Sequence, residues 1–277
     1  MIINRERRRH CGRGVRNIFY MLILLLLLGW MAPRQIHAAG TCGGSQRRVR
    51  VLCISGDSDF RRDAIAVGNL FRNGTVAGYG RPKVTVSHCS SRSSRKTVNQ
   101  VLSRTFSGSR SSDLNILYYS GHGVAASEDD TYELSEVLGL ELTGTYPYRY
   151  YSYKALGRRL ASYRGKWIVI LDCCFSQAFY LKGIRPLRAS DRKRFTLLLS
   201  SAYNELSYSS KSSGMMGIYT TERLKAAGYK GSMKGDRNKD GKVTAGEIQT
   251  YISGRMKKAG LPLTPQLYGS RGQALYG

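Results

Sequence analysis

Two short motifs contain side chains that could carry out nucleophilic chemistry. Residues 168–179 read IVILDCCFSQAF, in which an aspartate and two adjacent cysteines end an apolar run. Residues 114–123 read LNILYYSGHG, so that His122 follows a second apolar run and lies between two glycines. A catalytic thiolate needs a base to take its proton or a cation to hold its charge, and a histidine can supply either. The two motifs therefore predict a Cys–His site.

The count of histidines favours His122 as the partner of that thiol. The chain has four histidines; two of them, His10 and His37, lie in or beside an N-terminal segment that has the features of an export signal. His88 ends a strand pattern without flanking glycines, and we interpret it as a surface or edge histidine. The glycines beside His122 permit a sharp turn that would leave its imidazole and the next N–H facing a cleft.

A parallel sheet would bring the two motifs together. Apolar or alternating runs predict strands at 48–55, 83–88, 114–120, 166–172 and 194–202, and helical periodicity predicts helices at 61–73, 96–106, 151–163, 218–228 and 245–260. Residues 136–144 are expected to form a short hairpin. Strands that alternate with helices indicate an α/β fold with one parallel sheet covered on both faces. Ligands bind at the carboxyl ends of such strands, where both motifs fall.

The motifs and their spacing resemble those of the caspase-like cysteine peptidases, which include metacaspases and bacterial caspase-like proteins. His122 lies 52 residues before Cys174, close to the spacing found in caspases. Further stretches that resemble the family are RRDA at 61–64, LSSAYNELSY at 199–208, GIYTTERL at 217–224 and TPQLYG at 264–269. The resemblance implies a three-layer α/β/α fold with a mostly parallel central sheet.

The same resemblance implies roles for individual residues. The family pattern D-x-C-x-S makes Cys174 the nucleophile, with His122 as its catalytic partner. The family's oxyanion donors correspond to the N–H groups of Gly123 and Cys174. Strand alternation agrees with this choice of cysteine, because it turns the neighbouring Cys173 toward the core. The chain departs from most relatives at Phe175 and Gln177, and Gln177 is expected to crowd the loop after the nucleophile.

An acid two residues before the nucleophile needs a purpose, because a carboxylate beside a thiol raises the thiol pKa. In metacaspases and clostripain-like relatives the matching acid, here Asp172, lines the substrate pocket and selects arginine or lysine. Asp63, in the first predicted helix, is a second candidate for that pocket; alternatively, the helix dipole favours its charge. The basic segment 181–194 is either a self-cleavage site or a solvated linker.

Residues 236–247 read DRNKDGKVTAGE and match the EF-hand calcium loop, with a glycine at its sixth position. The predicted ligands are Asp236, Asn238, Asp240, Lys242 through its carbonyl, Thr244 and Glu247. We therefore expect Ca²⁺ here, and no organic cofactor. Arg237 and Lys239 occupy non-ligand positions and are expected to weaken calcium affinity. A polar turn that retains only the spacing is the alternative.

The N-terminus and the overall charge predict where the protein acts. Residues 1–39 have the arginine-rich, apolar and small-residue order of a signal peptide, although the apolar part could also anchor the chain in a membrane. We expect a single peptidase domain at 40–277 that is secreted or extracytoplasmic. The formal charge is +26, and removing the seven arginines and one glutamate of 1–39 leaves about +20. This charge favours anionic surface polymers as partners, whereas no pattern for specific nucleic-acid binding is present.

The sequence as a whole predicts an exported cysteine endopeptidase that acts on polypeptides with arginine or lysine at the cleavage site. The alternative is a catalytically silent caspase-like module that binds or scaffolds through its basic surface. A disulfide scaffold is not indicated, because the six cysteines lack framework spacing. A redox role for Cys173 and Cys174 is excluded, since adjacent cysteines bridge only with strain.

Overall fold

A computed structural model describes residues 47–124, 138–144, 148–210 and 216–277. The predicted signal segment 1–39 lies outside these residues. Residues 145–147, at the start of a tyrosine-rich run, lie outside them as well. Within the described ranges, no helix is both long and apolar enough to cross a membrane.

The secondary structure alternates strands with helices, as predicted. The strands are β1 Val49–Ser55, β2 Lys83–His88, β3 Leu114–Ser120, β4 Gly123–Val124, β5 Gly139–Glu141, β6 Tyr150–Ser152, β7 Lys166–Asp172, β8 Phe195–Leu199, β9 Ser209–Ser210, β10 Met216–Gly217, β11 Val243–Thr244, β12 Gln266–Tyr268 and β13 Ala274–Tyr276. The helices are α1 Arg61–Asn73, α2 Arg95–Phe106, α3 Tyr153–Ala161, a π-helix at Phe179–Ile184, α4 Ala189–Arg192, α5 Ile218–Ala226 and α6 Ala245–Lys258.

Six strands form the central sheet in the order β12-β8-β7-β3-β1-β2. The five predicted strands β1, β2, β3, β7 and β8 pair in parallel. The sixth, β12, was not predicted and pairs antiparallel with β8 at the edge. The sheet is therefore mixed but mostly parallel, which confirms the predicted fold class.

The side chains of β1 show why both faces of the sheet are covered. Val51 and Cys53 pack into one apolar cluster, which includes residues of α1, α5 and α6. Leu52 and Ile54 point to the opposite face and pack into a second cluster with residues of α2 and α3. Because successive strand residues face opposite sides, an unbroken apolar run requires helices on both sides. The result is the expected three-layer arrangement.

The prediction of a hairpin within 136–144 was wrong. Instead, β5 is the central strand of a small antiparallel sheet with β4 on one side and β6 on the other. Since β4 contains Gly123, this sheet continues directly from the segment that carries His122. It thus helps to hold the end of that segment.

The basic segment 181–194 is folded rather than extended. It contains the last four residues of the π-helix and all of α4. Arg194 donates to the carbonyl oxygens of Ala161, Tyr163 and Gly165 and pairs with Asp191 at 2.8 Å. Its side chain is therefore fixed against the body of the protein, whereas Arg185 and Arg188 are exposed.

Candidate active site

The His122 and Cys174 segments lie side by side at the carboxyl edge of the sheet. Ser120 and Asp172, the last residues of β3 and β7, are register partners. Beyond them, the Gly121 N–H donates to the Asp172 carbonyl at 3.2 Å. Gly123 contacts the Cys174 backbone so closely that a Cβ at this position would lie 1.9 Å from the Cys174 carbonyl oxygen. A glycine is therefore required at 123 for a steric reason.

Backbone N–H groups surround the half-buried Cys174 thiol. The Ser207 N–H donates to Sγ at 3.3 Å, and Sγ lies 3.7 Å from the Ser207 carbonyl. Burial raises the thiol pKa, and the charge of Asp172 adds to this effect. Hydrogen bonds from the N–H groups of Ser207, Cys174 and Gly123 act in the opposite direction. The same N–H groups could stabilise an oxyanion that forms beside the sulfur.

The turn after Cys174 is held by hydrogen bonds on both of its next residues. Phe175 has a φ of 56°, a left-handed conformation that is costly for a non-glycine residue. Its N–H donates to the Glu205 carbonyl at 2.8 Å, and the Ser176 N–H donates to Ser201 Oγ at 3.1 Å. Cys173 is buried in the core, in agreement with its predicted orientation. These contacts aim Cys174 outward while its neighbour points in.

The His122 imidazole faces an acid that the sequence did not suggest. Its Nε2 lies 3.7 Å from Asp57 Oδ2, and its ring packs edge-on against Phe60 at 5.2 Å between centroids. The imidazole is about half exposed, at 55% of its side-chain surface. Among the described residues no hydrogen bond joins His122 to Cys174, whose sulfur contacts Ser207 instead. Catalytic hydrogen bonds are often long in the absence of substrate.

Asp172 is buried next to the thiol and is fully hydrogen-bonded. Its Oδ1 accepts from Ser207 Oγ at 2.7 Å, and its Oδ2 accepts from the N–H and hydroxyl of Thr220 at 3.0 and 2.7 Å. Burial raises the pKa of this carboxyl, while those hydrogen bonds and the charge of Arg223 oppose the rise. Ser207 thus contacts both Asp172 and Cys174.

Asp63 lies near Asp172, and both carboxylates approach Gly217. Its Oδ2 accepts from Ser120 Oγ at 2.6 Å and from the Gly217 N–H at 3.1 Å. A Cβ on Gly217 would lie 2.1 Å from Asp172 Oδ2 and 3.2 Å from Asp63 Oδ2, so both acids surround this one glycine. Asp63 Oδ1 is buried and has no hydrogen-bond partner. Burial and the charge of Asp172 raise the pKa of Asp63 to about 7.

A buried arginine lies behind the two acids. Arg223, on α5, is fully buried, and its guanidinium stacks near the rings of Phe71, Tyr118 and Tyr276. Its Nη2 donates to the Tyr276 hydroxyl, whereas Nε and Nη1 have no hydrogen-bond partner. No carboxylate of the described chain pairs with it, so its charge acts on Asp172 only at longer range.

The Gln177 side chain is engaged with the edge of the sheet. Its Nε2 donates to the Tyr268 hydroxyl at 2.5 Å, and its Oε1 accepts from the Tyr203 N–H at 2.8 Å. Both polar ends of the amide are therefore fixed by these neighbours. His88 is also placed outside the site, where its Nδ1 lies 2.9 Å from Ser55 Oγ.

In the 236–247 loop, side-chain oxygens accept hydrogen bonds from the N–H groups of the same loop. The N–H groups of Asp240 and Gly241 donate to the Asp236 carboxylate, and Asn238 Oδ1 accepts from the Asp240 N–H at 3.1 Å. Glu247 forms a capping box with Thr244 at the start of α6 and also accepts from the Arg237 N–H at 3.2 Å. Burial raises the pKa of Glu247, but the hydrogen bonds outweigh it and hold that pKa below the usual value.

The donor set of this loop is composed of oxygen atoms, which suits a hard cation such as Ca²⁺. In the described ranges, no three carboxylate, histidine or cysteine side chains converge as a metal cluster. The predicted set has only three carboxylates, and its other donors are an amide, a carbonyl and a hydroxyl. Asp236, Asn238, Asp240 and Glu247 already turn toward the loop backbone. The residues therefore fit the ion chemically without being preassembled around it.

Comparison with known proteins assigns the chain to a family. Residues 59–269 match the family model described as the caspase domain. The chain therefore belongs to the caspase-domain family, a family of cysteine peptidases. A search of curated protein sequences found no significant match.

Two solved structures are similar to this chain at low sequence identity. Caspase-1 from Spodoptera frugiperda is 12% identical, with 83% of this chain and 90% of that chain covered and a TM-score of 0.49. The structure titled drICE is 13% identical, with 90% of this chain and 99% of that chain covered and a TM-score of 0.47. The family assignment rests on the family model.

Three residues of the site were not found by sequence reasoning. Asp57 and Ser207 belong to loops, and Thr220 lies in the first turn of α5, so none of them is close in sequence to either motif. The available signals were the position of Asp57 in the turn after β1, a strand that ends at the same edge of the sheet as β3, and the presence of Ser207 and Thr220 in the stretches 199–208 and 217–224 that resemble the family.

Proposed function

We propose that this chain is an exported cysteine endopeptidase that cleaves after arginine or lysine, with Cys174 as nucleophile and His122 as general base and acid. One observation carries the proposal. At the joined ends of β3 and β7, a thiol surrounded by three backbone N–H groups shares Ser207 with a buried carboxylate, Asp172. We infer that this thiol is the nucleophile, that the N–H groups beside it form the oxyanion site, and that Asp172 belongs to the substrate pocket.

Acylation begins with transfer of the Cys174 proton to His122. The thiolate then attacks the scissile carbonyl carbon, and the carbonyl π electrons move to the oxygen, which accepts hydrogen bonds from the Gly123 and Cys174 N–H groups. When the tetrahedral intermediate collapses, the C–N bond breaks and the imidazolium gives its proton to the leaving amine. The product is a thioester on Cys174. Asp57 would stabilise the imidazolium through Nε2 and leave Nδ1 to face the thiol.

Deacylation reverses the roles with water in place of the amine. His122 removes a proton from water, which attacks the thioester carbonyl while the same N–H groups hold the oxyanion. The C–S bond breaks, and the sulfur recovers a proton from the imidazolium. The enzyme returns to its starting state with one water consumed.

The charge and hydrogen bonding of the pocket support a cationic substrate side chain. Asp63 and Asp172 are both buried around Gly217, and Asp63 Oδ1 lacks a donor. A guanidinium supplies five N–H donors and a full positive charge, and a lysine ammonium supplies three donors. A cationic side chain would displace the Ser207 hydroxyl from Asp172, supply the missing donor to Asp63, and offset the buried negative charge. A neutral side chain would not offset the buried charge, and an apolar one would also leave Asp63 Oδ1 without a donor.

We further propose that the 236–247 loop binds Ca²⁺ through Asp236, Asn238, Asp240, the Lys242 carbonyl, Thr244 and Glu247. The ion would supply the positive charge that the loop carboxylates lack. The loop leads through β11, which pairs with β13, into α6. The expected effect of the ion is to brace these C-terminal elements.

Export and partner choice are supported by the sequence alone. The arginine-rich and apolar order of residues 1–39 supports secretion or membrane anchoring, and the net charge of +26 supports association with anionic surface polymers. Fractionation of cells expressing a C-terminally tagged chain would distinguish secretion from anchoring. A shortened protein in the medium supports secretion, and a full-length protein in the membrane fraction supports anchoring.

The decisive experiment compares hydrolysis of Arg-, Lys- and Asp-ended fluorogenic peptides under reducing conditions. The purified wild-type chain is tested beside Cys174→Ala, with Cys173→Ala as the matched control because that adjacent thiol points into the core. Cleavage after Arg and Lys that is lost only in Cys174→Ala supports the proposal. Cleavage after Asp would refute the pocket assignment. No turnover by the folded wild type, together with salt-sensitive binding to a polyanion, would favour the scaffold alternative.

A further inference from the structure

A cavity lies between α3 and the π-helix, away from the Cys174 thiol. It encloses about 380 Å³ and is lined by three cations, Lys154, Arg158 and Lys182, together with Leu138, Pro186 and Leu187. This volume falls within the range of small-ligand pockets. None of these residues belongs to the peptidase site described above.

The backbone brings the three cations together. Lys154 and Arg158 are four residues apart on α3, so they lie on the same face of that helix. Lys182 comes from the π-helix, a rare element that often occurs at functional sites. The two helices touch through glycines, since a Cβ on Gly157 would lie 2.1 Å from the Gly183 carbonyl oxygen. This close contact fixes the backbone positions from which the three exposed cations extend around the cavity.

The cations of this cavity have no counter-charge in the structure. Across the described ranges, none of the three side chains takes part in an ion pair or a hydrogen bond, and the lining contains no acid. Nearby cations behave differently: Arg159 donates to Ser103 at 2.6 Å, and Arg194 pairs with Asp191. Like charges at i and i+4 on a helix repel each other. A bound anion would remove this repulsion.

The apolar part of the lining narrows the ligand class. Leu138 is buried, Leu187 is half-buried, and Pro186 completes the apolar side of the cavity. A free inorganic ion would leave this side unused. A second basic cavity, near Arg47 and Arg81, is less suitable because its Arg50 already pairs with Asp113 and its Arg47 stacks on Tyr79.

We propose that this cavity binds a small phosphate monoester that carries a compact apolar group. The dianionic phosphoryl group contacts Lys154, Arg158 and Lys182, with the planar guanidinium able to bind two of its oxygens. The apolar group packs on Leu138, Pro186 and Leu187. This site is independent of the proposed peptidase chemistry, so its test does not depend on turnover.

Calorimetric titration with phenyl phosphate and with inorganic phosphate tests the proposal. The variant Lys154→Gln/Arg158→Gln/Lys182→Gln removes the site. Lys234→Gln/Lys257→Gln/Lys258→Gln removes the same charge from exposed lysines elsewhere. We expect saturable binding of phenyl phosphate at least tenfold tighter than that of phosphate, lost at least tenfold in the site variant and changed less than twofold in the control. Single Lys182→Gln should weaken binding at least threefold.

Three results would overturn the proposal. One is the absence of saturable phenyl phosphate binding to the wild-type chain. Another is an equal loss in the two triple variants, which would show that net charge alone attracts the anion. The third is equal affinity for phenyl phosphate and phosphate in the wild type, because it would exclude a role for the apolar lining. The substituted side chains are exposed, so thermal unfolding should confirm that every variant folds.

Discussion

Asp63→Asn should flatten the dependence of folding stability on pH between about pH 4 and pH 7. The pKa of Asp63 rises from 3.8 to about 7 in the folded protein. The folded state therefore holds a proton that the unfolded state releases in this interval. The stabilisation is fully present below pH 3.8 and is lost as the pH rises toward 7. Three pH units at about 1.36 kcal/mol each amount to about 4 kcal/mol.

The asparagine variant removes this titration and adds a separate cost. Its Oδ1 can accept from Ser120 and the Gly217 N–H, as the Asp63 Oδ2 does in the wild type. Its amide nitrogen would occupy the position of the unpartnered Asp63 Oδ1, and an unsatisfied buried donor costs about 1–3 kcal/mol. This cost does not depend on pH. The whole stability curve therefore shifts, whereas the test concerns its slope.

Denaturant unfolding at half-unit pH intervals measures the effect. Other groups titrate in the same range, among them His88, whose lowered pKa makes stability rise with pH up to 6.5. The difference between the wild type and the variant cancels the contributions of groups that do not interact with Asp63, such as His88. We expect this difference to change by about 4 kcal/mol between pH 4 and pH 7.5. Parallel curves, with a change below about 1 kcal/mol, would refute the reasoning.

A covalent inhibitor with an arginyl side chain extends the test to the pocket. If the guanidinium contacts Asp63 and Asp172, it will keep both ionised, and the Asp63 contribution to the slope should disappear in the inhibited wild type. The same inhibitor with a norleucyl side chain is the matched control and should leave the slope unchanged. Equal slopes for both adducts would mean that the cationic side chain does not reach Asp63.

Three further predictions concern other parts of the site. Gly123→Ala should lower kcat by more than about 100-fold and destabilise the fold by about 1–3 kcal/mol, because its Cβ would lie 1.9 Å from the Cys174 carbonyl. The control is Gly254→Ala, where nothing lies within 4 Å of the added Cβ, and it should leave kcat unchanged. Equal activity of the two variants would contradict the steric argument. Asp57→Asn should lower kcat by no more than roughly tenfold with little change in KM, since its partner His122 is half exposed; a change confined to KM would show that Asp57 acts on substrate binding instead. Glu247→Gln should weaken Ca²⁺ binding roughly tenfold and reduce the calcium-dependent rise in melting temperature, whereas Arg237→Gln should strengthen binding; effects of the same sign would contradict the assignment of these two positions.

The parallel strands of the fold were predictable from the pattern of their apolar residues. The ranges 114–120 and 166–172 coincide with strands in the structure, since these central strands are buried on both faces and read as apolar runs. The range 83–88 also coincides with a strand, but it alternates apolar and polar residues and lies at the sheet edge, where none of its residues is buried. The strand β12 could not be predicted in the same way. It has three residues, all half-buried, and its pairing with β8 is set by tertiary contacts rather than by a local pattern.

The candidate site was predictable only where its residues end strands. His122, Cys174 and Asp172 follow or end apolar runs, so the sheet topology places them at one edge. Ser207 and Asp57 come from loops, and the path of a loop cannot be predicted from hydrophobic periodicity. The spacing of motifs identifies the strands that carry the chemistry, and the hydrogen bonds that orient those side chains become visible only in the folded chain.

Without substrate, Ser207 hydrogen-bonds to both Cys174 and Asp172, and these two bonds affect the specificity of the site. Its N–H contacts the thiol while its hydroxyl contacts Asp172, so a substrate must replace both interactions. Exchanging one hydrogen bond for another yields little net free energy. The proposed selectivity for a cation would therefore come from what Ser207 cannot supply, which is a positive charge near the buried Asp63 and Asp172 and a donor for Asp63 Oδ1. A neutral side chain of the same length would have to open the site without either gain.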